Sequence, residues 1–376
     1  MKILFLTRHL GYGGAERQLV VLAKGLQARG HEVIVAVFYP DGPLEKELQQ
    51  TGVKVRSLQK RSRWHLASFL LTFVNMVRAE RPAIIHGYLG EPNIFSLVPK
   101  LFVPGIKVVW GIRDSYMDFS NDEWIIRVNA RLACWLSQFT DGIITNSHAG
   151  FQCHASQGYP RHAMTVIPNG VDTDRFCPNA VARRQIRAEW GVAPGDPVIG
   201  LIARLHPMKD HPVFLKAAAD LVKEHQRVTF VCVGNGRPEY RDSLLTLADS
   251  LGLKDRVLWL NPRPDVEAVY AALDIAVSSS QFGEGFGNAI AEAMACGVPC
   301  VVTDVGDSAL IVGDKGTVVP ARNPAALKAA IEEMLRHQQY TPEAIRERIV
   351  DRVSVHRLIS KTEEALDRIN GAPQRG

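Results

Sequence analysis

Short apolar runs alternate with stretches in which apolar residues recur every three or four positions. The runs Lys2–Thr7, Glu32–Phe38, Ala83–His86, Lys107–Ile112, Gly142–Thr145 and Met164–Ile167 predict strands. Between the first two, Ala15, Leu19, Leu22 and Leu26 share one helical face, and Gly30 ends that helix. A second series follows, with predicted strands at Val198–Arg204, Val228–Val233, Arg256–Leu260, Asp274–Ser278 and Pro299–Thr303. Asp210 is expected to cap a helix running to about Glu224. Strands alternating with helices predict an α/β chain with two doubly wound parallel sheets, whose ligands would sit at the carboxyl ends of the strands, facing a cleft. The expected division is 1–178 and 179–353, with a helix in 354–376 packing back toward the first domain, and the Pro- and Gly-bearing stretch 178–197, with one helix in it, reads as the linker region.

Composition supports this outline. With 376 residues, 46% hydrophobic and 22% charged, the chain can bury large cores, which excludes disordered, collagen-like and disulfide-scaffold classes. Six cysteines form no CxxC pair, so reduced thiols in a cytosol are expected rather than a structural zinc site. Only Ile3 to Leu6 precede Arg8, too short a run for a signal-peptide core, and no window is apolar enough to span a membrane. The expected location is therefore cytoplasmic. The net charge of +5 divides unevenly: 20 basic against 14 acidic residues over 1–180, and 24 against 25 over the rest. A basic first half fits an anionic partner, or simply a solvated surface; nothing points to nucleic acid.

Three constellations carry chemistry. In the first, Gly11, Gly13 and Gly14 stand between a strand and a helix, where backbone N–H groups can approach a phosphate. Glu16 occupies the place a dinucleotide fingerprint would give to glycine, and a tight turn without ligand explains the loop equally well. The second places Arg204 at a strand's end and Lys209 five residues on, two cations suited to a diphosphate; alone, they read equally as solvated surface bases. In the third, Glu284 and Glu292 lie eight positions apart, with Gly285 and Gly287 in a loop before a helix starting near Asn288. N–H groups of Gly287 and Asn288 would face an anion at that helix start. One carboxylate for sugar hydroxyls, donors for a diphosphate and a second carboxylate for a ribose diol is the division of labour a nucleotide sugar needs.

Taken together, Glu-x7-Glu with its internal Gly-Phe-Gly-Asn, Ala-Arg-Leu-x-Pro-x-Lys-Asp at 203–210, Gly-Gly-Ala-Glu at 13–16 and Pro-Asn-Gly-Val-Asp at 168–172 resemble retaining glycosyltransferase family four. The resemblance runs from residue 11 to about 305. It implies the GT-B architecture of two Rossmann-like domains, a nucleotide-diphosphate sugar donor held mainly by the second, and transfer with retained anomeric configuration. By matching position it implies Arg204 and Lys209 on the diphosphate, Glu284 orienting the donor sugar and Glu292 on the ribose. Phe286, Gly287 and Asn288 would complete the sugar and phosphate contacts. Gly14 would approach from the first domain, and Gly234, Asn235, Gly236 and Arg263 would form the nucleotide-side wall.

The chain departs from the family pattern at one place: where many members carry a second histidine two residues beyond the first, Tyr88 follows His86. His86 then serves in catalysis or is structural. Asp172-Thr173-Asp174 spells a metal-binding triplet, but it falls in the hand-over turn, and no metal or other cofactor is expected. His148, His154 and His162 lack ligand spacing.

Expected partners are a nucleotide sugar, a UDP-sugar before a GDP-sugar, and a glycan or phosphate-lipid acceptor of the kind used in bacterial-type polysaccharide or glycolipid synthesis. A sugar-nucleotide epimerase and a non-catalytic sugar-nucleotide-binding module are the alternatives. Finally, Lys54, Arg56, Lys60, Arg61 and Arg63 come with no acid between them, and Trp64 follows. This basic segment is expected to attach the protein peripherally to an anionic membrane face.

Overall fold

The computed structural model describes all residues except 12, 61–65, 114, 116–123, 338–339 and 372–376, and the side chains of 124–127 are likewise left aside. The chain divides into two compact units, Met1–Gly170 with Val355–Gly376, and Val171–Ser354. The boundary lies at Gly170, a little before the sequence-based one, and the chain crosses it a second time at Ser354.

In the first unit, β1 (Lys2–Thr7), β2 (Glu32–Val37), β3 (Lys54–Ser57), β4 (Ile84–Tyr88), β5 (Lys107–Ile112), β6 (Gly142–Thr145) and β7 (Met164–Val166) form one sheet. Its order is β3-β2-β1-β4-β5-β6-β7, and every pairing is parallel. In the second, β8 (Val198–Ile202), β9 (Thr229–Val233), β10 (Val257–Leu260), β11 (Ile275–Ser278), β12 (Cys300–Thr303) and β13 (Gly316–Val319) run in the order β10-β9-β8-β11-β12-β13. Both are doubly wound sheets in which the order reverses beside the first strand, between β1 and β4 and between β8 and β11.

The continuous apolar runs reflect burial of both sheet faces. Ile3 and Phe5 enter one core of the first unit, while Leu4 and Leu6 enter the other. In the second unit Val231 and Val233 face one core, and Phe230 and Cys232 the opposite one. Each fully buried Leu, Ile or Phe contributes about 1.5–3 kcal/mol of transfer free energy, so the strand order is fixed chiefly by these layers.

Helix Gly14–Ala28 buries Leu19, Leu22 and Leu26, as its periodicity predicts, with Ala15 half-buried, and Gly30 follows at φ +87°. The C-terminal helix Val355–Gly371 belongs to this unit. Gly25 lets it approach: a Cβ there would lie 2.0 Å from Ile359 Cδ1. Glu363 meets Arg29 at 2.6 Å and His31 at 2.7 Å across the same pair of helices.

Several local expectations change. The short strands β3 and β13 are absent from the sequence reading, because β3 alternates exposed and half-buried residues at a sheet edge and shows no apolar run. Stretch 178–197 is no linker. Its helix Ala180–Glu189 sends Arg187 to Asp274 at 3.0 Å, and Arg183 donates to the Leu273 carbonyl at 2.7 Å, which binds it to the β11 side of the second unit. Asp210 precedes helix His211–Leu221 but does not cap it through its side chain; it adopts φ +46° and its carboxyl is buried.

Candidate functional site

In the second unit the polar residues gather in loops at the carboxyl ends of β8, β9 and β11. β8 ends at Ile202, so Arg204 lies in the loop beyond it, exposed, and its side chain has no ion pair or hydrogen bond among the described residues. That loop is held by the next one. Ala203 N–H donates to Val233, Leu205 N–H to Asn235 at 2.8 Å, and Gly236 bridges Leu205. A Cβ on Gly234 would stand 2.0 Å from the Ala203 carbonyl, so only glycine allows this approach. Gly234 and Asn235 therefore set the backbone that presents Arg204.

Lys209 ends the short turn Pro207–Lys209, and two residues beyond β11 fasten it with three bonds. Ser279 Oγ donates to the Lys209 carbonyl at 2.8 Å, Gln281 N–H to Met208, and Gln281 Nε2 to Pro207. The Lys209 ammonium meets Glu284 Oε2, which also accepts from Ser280 Oγ at 2.9 Å. Ser280 is itself fixed where Thr303 Oγ1 donates to its carbonyl at 2.6 Å. Close backbone approach holds the loop from below, since a Cβ on Gly306, at φ +63°, would lie 2.0 Å from the Glu284 carbonyl. One cation and one carboxylate thus share a site with side chains largely out of solvent, and each is oriented by a second bond.

Helix Asn288–Ala295 starts directly after this loop, and Glu292 lies about one turn in, as its spacing predicts. Its Oε2 accepts from Tyr270 Oη at 2.9 Å. Tyr270 is fully buried, and burial together with the Glu292 charge raises its phenol well above the usual range, so it stays a donor. Phe286 and Gly287 are buried at the helix start. Asn288 differs from expectation there: its N–H already donates to the Phe286 carbonyl at 3.0 Å, because the backbone turns tightly before the helix.

Arg263 is also already engaged. Asp265 takes two of its N–H groups at 3.0 Å each and Glu189 a third at 2.6 Å, which raises its pKa. A guanidinium held by two acids presents its flat face rather than its charge. In the hand-over turn, Asp172 Oδ1 accepts the N–H groups of Asp174 and Arg175 at 3.2 and 3.1 Å, an Asx-type turn that already occupies this oxygen.

In the first unit Gly14 begins helix Gly14–Ala28 behind Gly13. His86 lies inside β4, which continues to Tyr88 instead of ending at the histidine. Its ring is 0% exposed, packs on Phe5 at 5.1 Å and Tyr88 at 5.8 Å, and finds no hydrogen-bond partner for either nitrogen among the described residues. Burial, with the nearby Arg113 charge, lowers its pKa to about 3.

The basic segment is less free than its sequence suggests. Lys54 meets Glu32 at 2.8 Å, Arg56 meets Glu80 at 3.7 Å, and Lys60 lies within 5.6 Å of the rings of Phe38, Phe69 and Phe95 with Glu91 at 3.6 Å. The acids come from other elements, which a linear scan misses. Arg61, Arg63 and Trp64 lie outside the described residues. Among the described residues no helix is long and apolar enough to cross a membrane.

Ser279, Ser280, Gln281 and Tyr270 were not singled out from the sequence. A signal existed: two serines directly after a buried strand, and a tyrosine inside the apolar stretch 268–273 whose hydroxyl needs a partner.

Two families match the chain. The family described as glycosyl transferases group 1 covers residues 182–351, and the one described as Glycosyltransferase Family 4 covers residues 12–175. A D-inositol 3-phosphate glycosyltransferase of Nocardia farcinica is 36% identical over 167 residues, 43% of this chain and 36% of the relative. A GDP-mannose-dependent alpha-(1-6)-phosphatidylinositol monomannoside mannosyltransferase of Mycolicibacterium smegmatis is 32% identical over 192 residues, 48% of this chain and 49% of the relative. The matched part thus spans between about a third and a half of the length of these curated relatives. The crystal structure of Anabaena Alr3699/HepE in complex with UDP superposes with a TM-score of 0.86 at 25% identity, over 98% of this chain and 100% of that one.

Proposed function

The chain belongs to glycosyltransferase family four, and from that membership we propose that it transfers a sugar from a nucleotide-diphosphate sugar to a glycan or phosphate-lipid acceptor, with retention of configuration and without a divalent metal. The observation that carries this reading is the pairing of Lys209 with Glu284 beside an unpaired Arg204, all on loops at the carboxyl ends of one parallel sheet. Breaking the bond between sugar and diphosphate develops negative charge on the phosphate oxygens. Fixed cations stabilise that charge best when they need no rearrangement during the reaction. Among the described residues no partner engages the Arg204 side chain, and Lys209 is held by its backbone and by Glu284. Glu284 is positioned for sugar hydroxyls, and Glu292, oriented by Tyr270, for the ribose diol.

A UDP-sugar is favoured because HepE, which matches along its whole length, is solved with UDP and with UDP-glucose. A GDP-sugar is second, in line with the GDP-mannose-dependent relative. The names of both curated relatives contain a phosphorylated inositol, which agrees with a phosphate-bearing acceptor.

A panel of UDP- and GDP-sugars, each with and without a phosphate-lipid acceptor, tests the proposal. Acceptor-dependent transfer is expected, undiminished by excess EDTA, with an α-linkage from an α-linked donor by NMR. Turnover without acceptor would mean an epimerase or hydrolysis, and binding without turnover a sugar-nucleotide-binding module. An inverted linkage would end the retaining assignment.

A further inference from the structure

Among the described residues of the second unit, two that are not glycine hold a left-handed backbone: Asp210 at φ +46° and Arg322 at φ +59°. An L side chain stays in that conformation only where its surroundings hold it there. Asp210 directly follows Lys209, and its carbonyl accepts from Ser279 Oγ at 3.1 Å. Arg322 lies three residues beyond β13, at the edge of the same sheet and just ahead of helix Pro324–Arg336. The turn into that helix does not need its side chain. Asn323 supplies the cap, accepting from Ala326 N–H at 3.0 Å, and glycine would meet the backbone angle with less strain.

The Arg322 side chain instead reaches past β12 to the loop after β11. Its Nε donates to Gln281 Oε1 at 2.9 Å. Gln281 Nε2 in turn donates to the Pro207 carbonyl at 2.8 Å, and Gln281 N–H to the Met208 carbonyl at 2.9 Å. A side-chain amide can present its oxygen and its NH2 either way round. With Arg322 on the oxygen, the NH2 is left facing Pro207, and the turn Pro207–Lys209 is gripped at two successive carbonyls. The charge of Arg322 also bears on the strained residue beside Lys209. Burial raises the Asp210 carboxyl above its usual range, and the Arg322 guanidinium is among the groups that oppose the rise.

We propose that Arg322 is a positioning residue for the transfer reaction: by fixing the Gln281 amide, it holds the turn that carries Lys209 toward the donor diphosphate. A fixed cation stabilises departing phosphate charge only as well as its place is kept. The proposal rests on the transferase reading for the role of Lys209, whereas the link from Arg322 through Gln281 to Pro207 stands apart from it.

The test is a double-mutant cycle on the full chain, using Arg322→Ala, Gln281→Ala and the two combined. It is read by steady-state transfer, thermal unfolding and deuterium exchange of the peptide spanning 205–212. Arg322→Ala is expected to lower kcat about fivefold with donor KM little changed. Gln281→Ala should lower it at least as much, and the combined variant no further, because Arg322 acts only through Gln281. Arg322→Lys, which keeps a donor, should restore most of the loss. Arg322→Gly separates positioning from mere stability: it relieves the left-handed strain, so Tm should hold or rise while kcat falls as in Arg322→Ala. Parent-like kcat in both variants, a kcat that falls only together with Tm, or additive effects in the cycle would each overturn the proposal; additivity would mean that Arg322 meets the donor directly. If the parent transfers no sugar from any donor, the transferase reading fails and exchange alone decides the link. Exchange of 205–212 at least about threefold faster in Arg322→Ala would support it, and exchange equal to the parent's would end it.

Discussion

β4 and β11 occupy the same place in their sheets, each beside the first strand where the order reverses, and they treat polar groups in opposite ways. β4 carries its imidazole inside the strand, sealed between Phe5 and Tyr88 with both nitrogens unpartnered. β11 is apolar up to Ser278, and its polar groups come after the strand: Ser279, Ser280 and Glu284, each satisfied by a neighbour. A polar group within a buried strand pays a desolvation cost and loses its charge. One just past the strand keeps its charge and is aimed by the loops around it. His86 therefore presents a neutral ring and Glu284 an oriented carboxylate.

The largest expected effect follows from sealed imidazoles. His86 titrates at about 3, and His211, at the start of a helix in the second unit, at about 4; burial is the main cause in both. Unfolded, each binds a proton below pH 6.5, whereas the folded chain resists protonation until near those lower values. Stability is then complete above pH 6.5 and falls as the pH drops toward 4, by an amount on the order of a few kcal/mol for each ring. Urea unfolding between pH 7.5 and 4.5 measures it. A midpoint that does not move over that range would mean the rings titrate in water and would remove the contrast between β4 and β11.

Next come the two cations. Arg204→Ala and Lys209→Ala should each lower kcat about 10²-fold or more, as loss of a transition-state charge contact does. Their stabilities should differ. Arg204 is exposed and unpaired, so its loss should leave Tm unchanged. Lys209→Ala strands Glu284 in a partly buried position and should cost about 1–3 kcal/mol. Equal Tm values would show that the Lys209–Glu284 pair contributes nothing to the fold.

The sequence was most informative where one physical rule decides the outcome. Apolar runs and helical spacing located eleven of the thirteen strands, and the helix bearing Glu292 begins at Asn288 as expected. What it left hidden depends on partners far apart in the chain. Arg263 looks like a free wall cation until distant Glu189 joins its neighbour Asp265 on it, and Lys54 looks unpaired until β2 supplies Glu32. Edge strand β3 has no apolar run to find. Ser280 carries no motif at all; only its distance to Glu284 shows its place.

That distance makes Ser280 the next way to sharpen the comparison. Ser280→Ala removes one of the two groups that orient Glu284 while keeping Lys209. The expected loss is about tenfold in kcat, roughly one charge-assisted hydrogen bond, with donor KM little changed. Ser280→Thr, which keeps the hydroxyl, should restore most of it. If both variants behave as the parent, Lys209 alone holds Glu284.

The smallest effect is expected at Tyr270, which tests whether orientation from the core reaches the second carboxylate. Tyr270→Phe deletes a single buried hydroxyl and keeps the ring that packs on Phe176 at 6.0 Å. The ring's apolar contacts remain, and Glu292, only partly buried, can turn its freed oxygen to water, so Tm should barely move. Ribose contacts already exist in the bound ground state, so the loss should fall on binding and not on the chemical step. Because water replaces part of this hydrogen bond to a carboxylate, the loss is about 0.5–1.5 kcal/mol, which predicts a donor KM raised about two- to tenfold at constant kcat. Glu292→Ala should raise KM further, and adding Tyr270→Phe to it should have no additional effect, because the hydroxyl acts only through that carboxylate. A fall in kcat at unchanged KM would place Glu292 at the reacting sugar rather than the ribose. Additive effects would mean that Tyr270 acts on the donor by some other route.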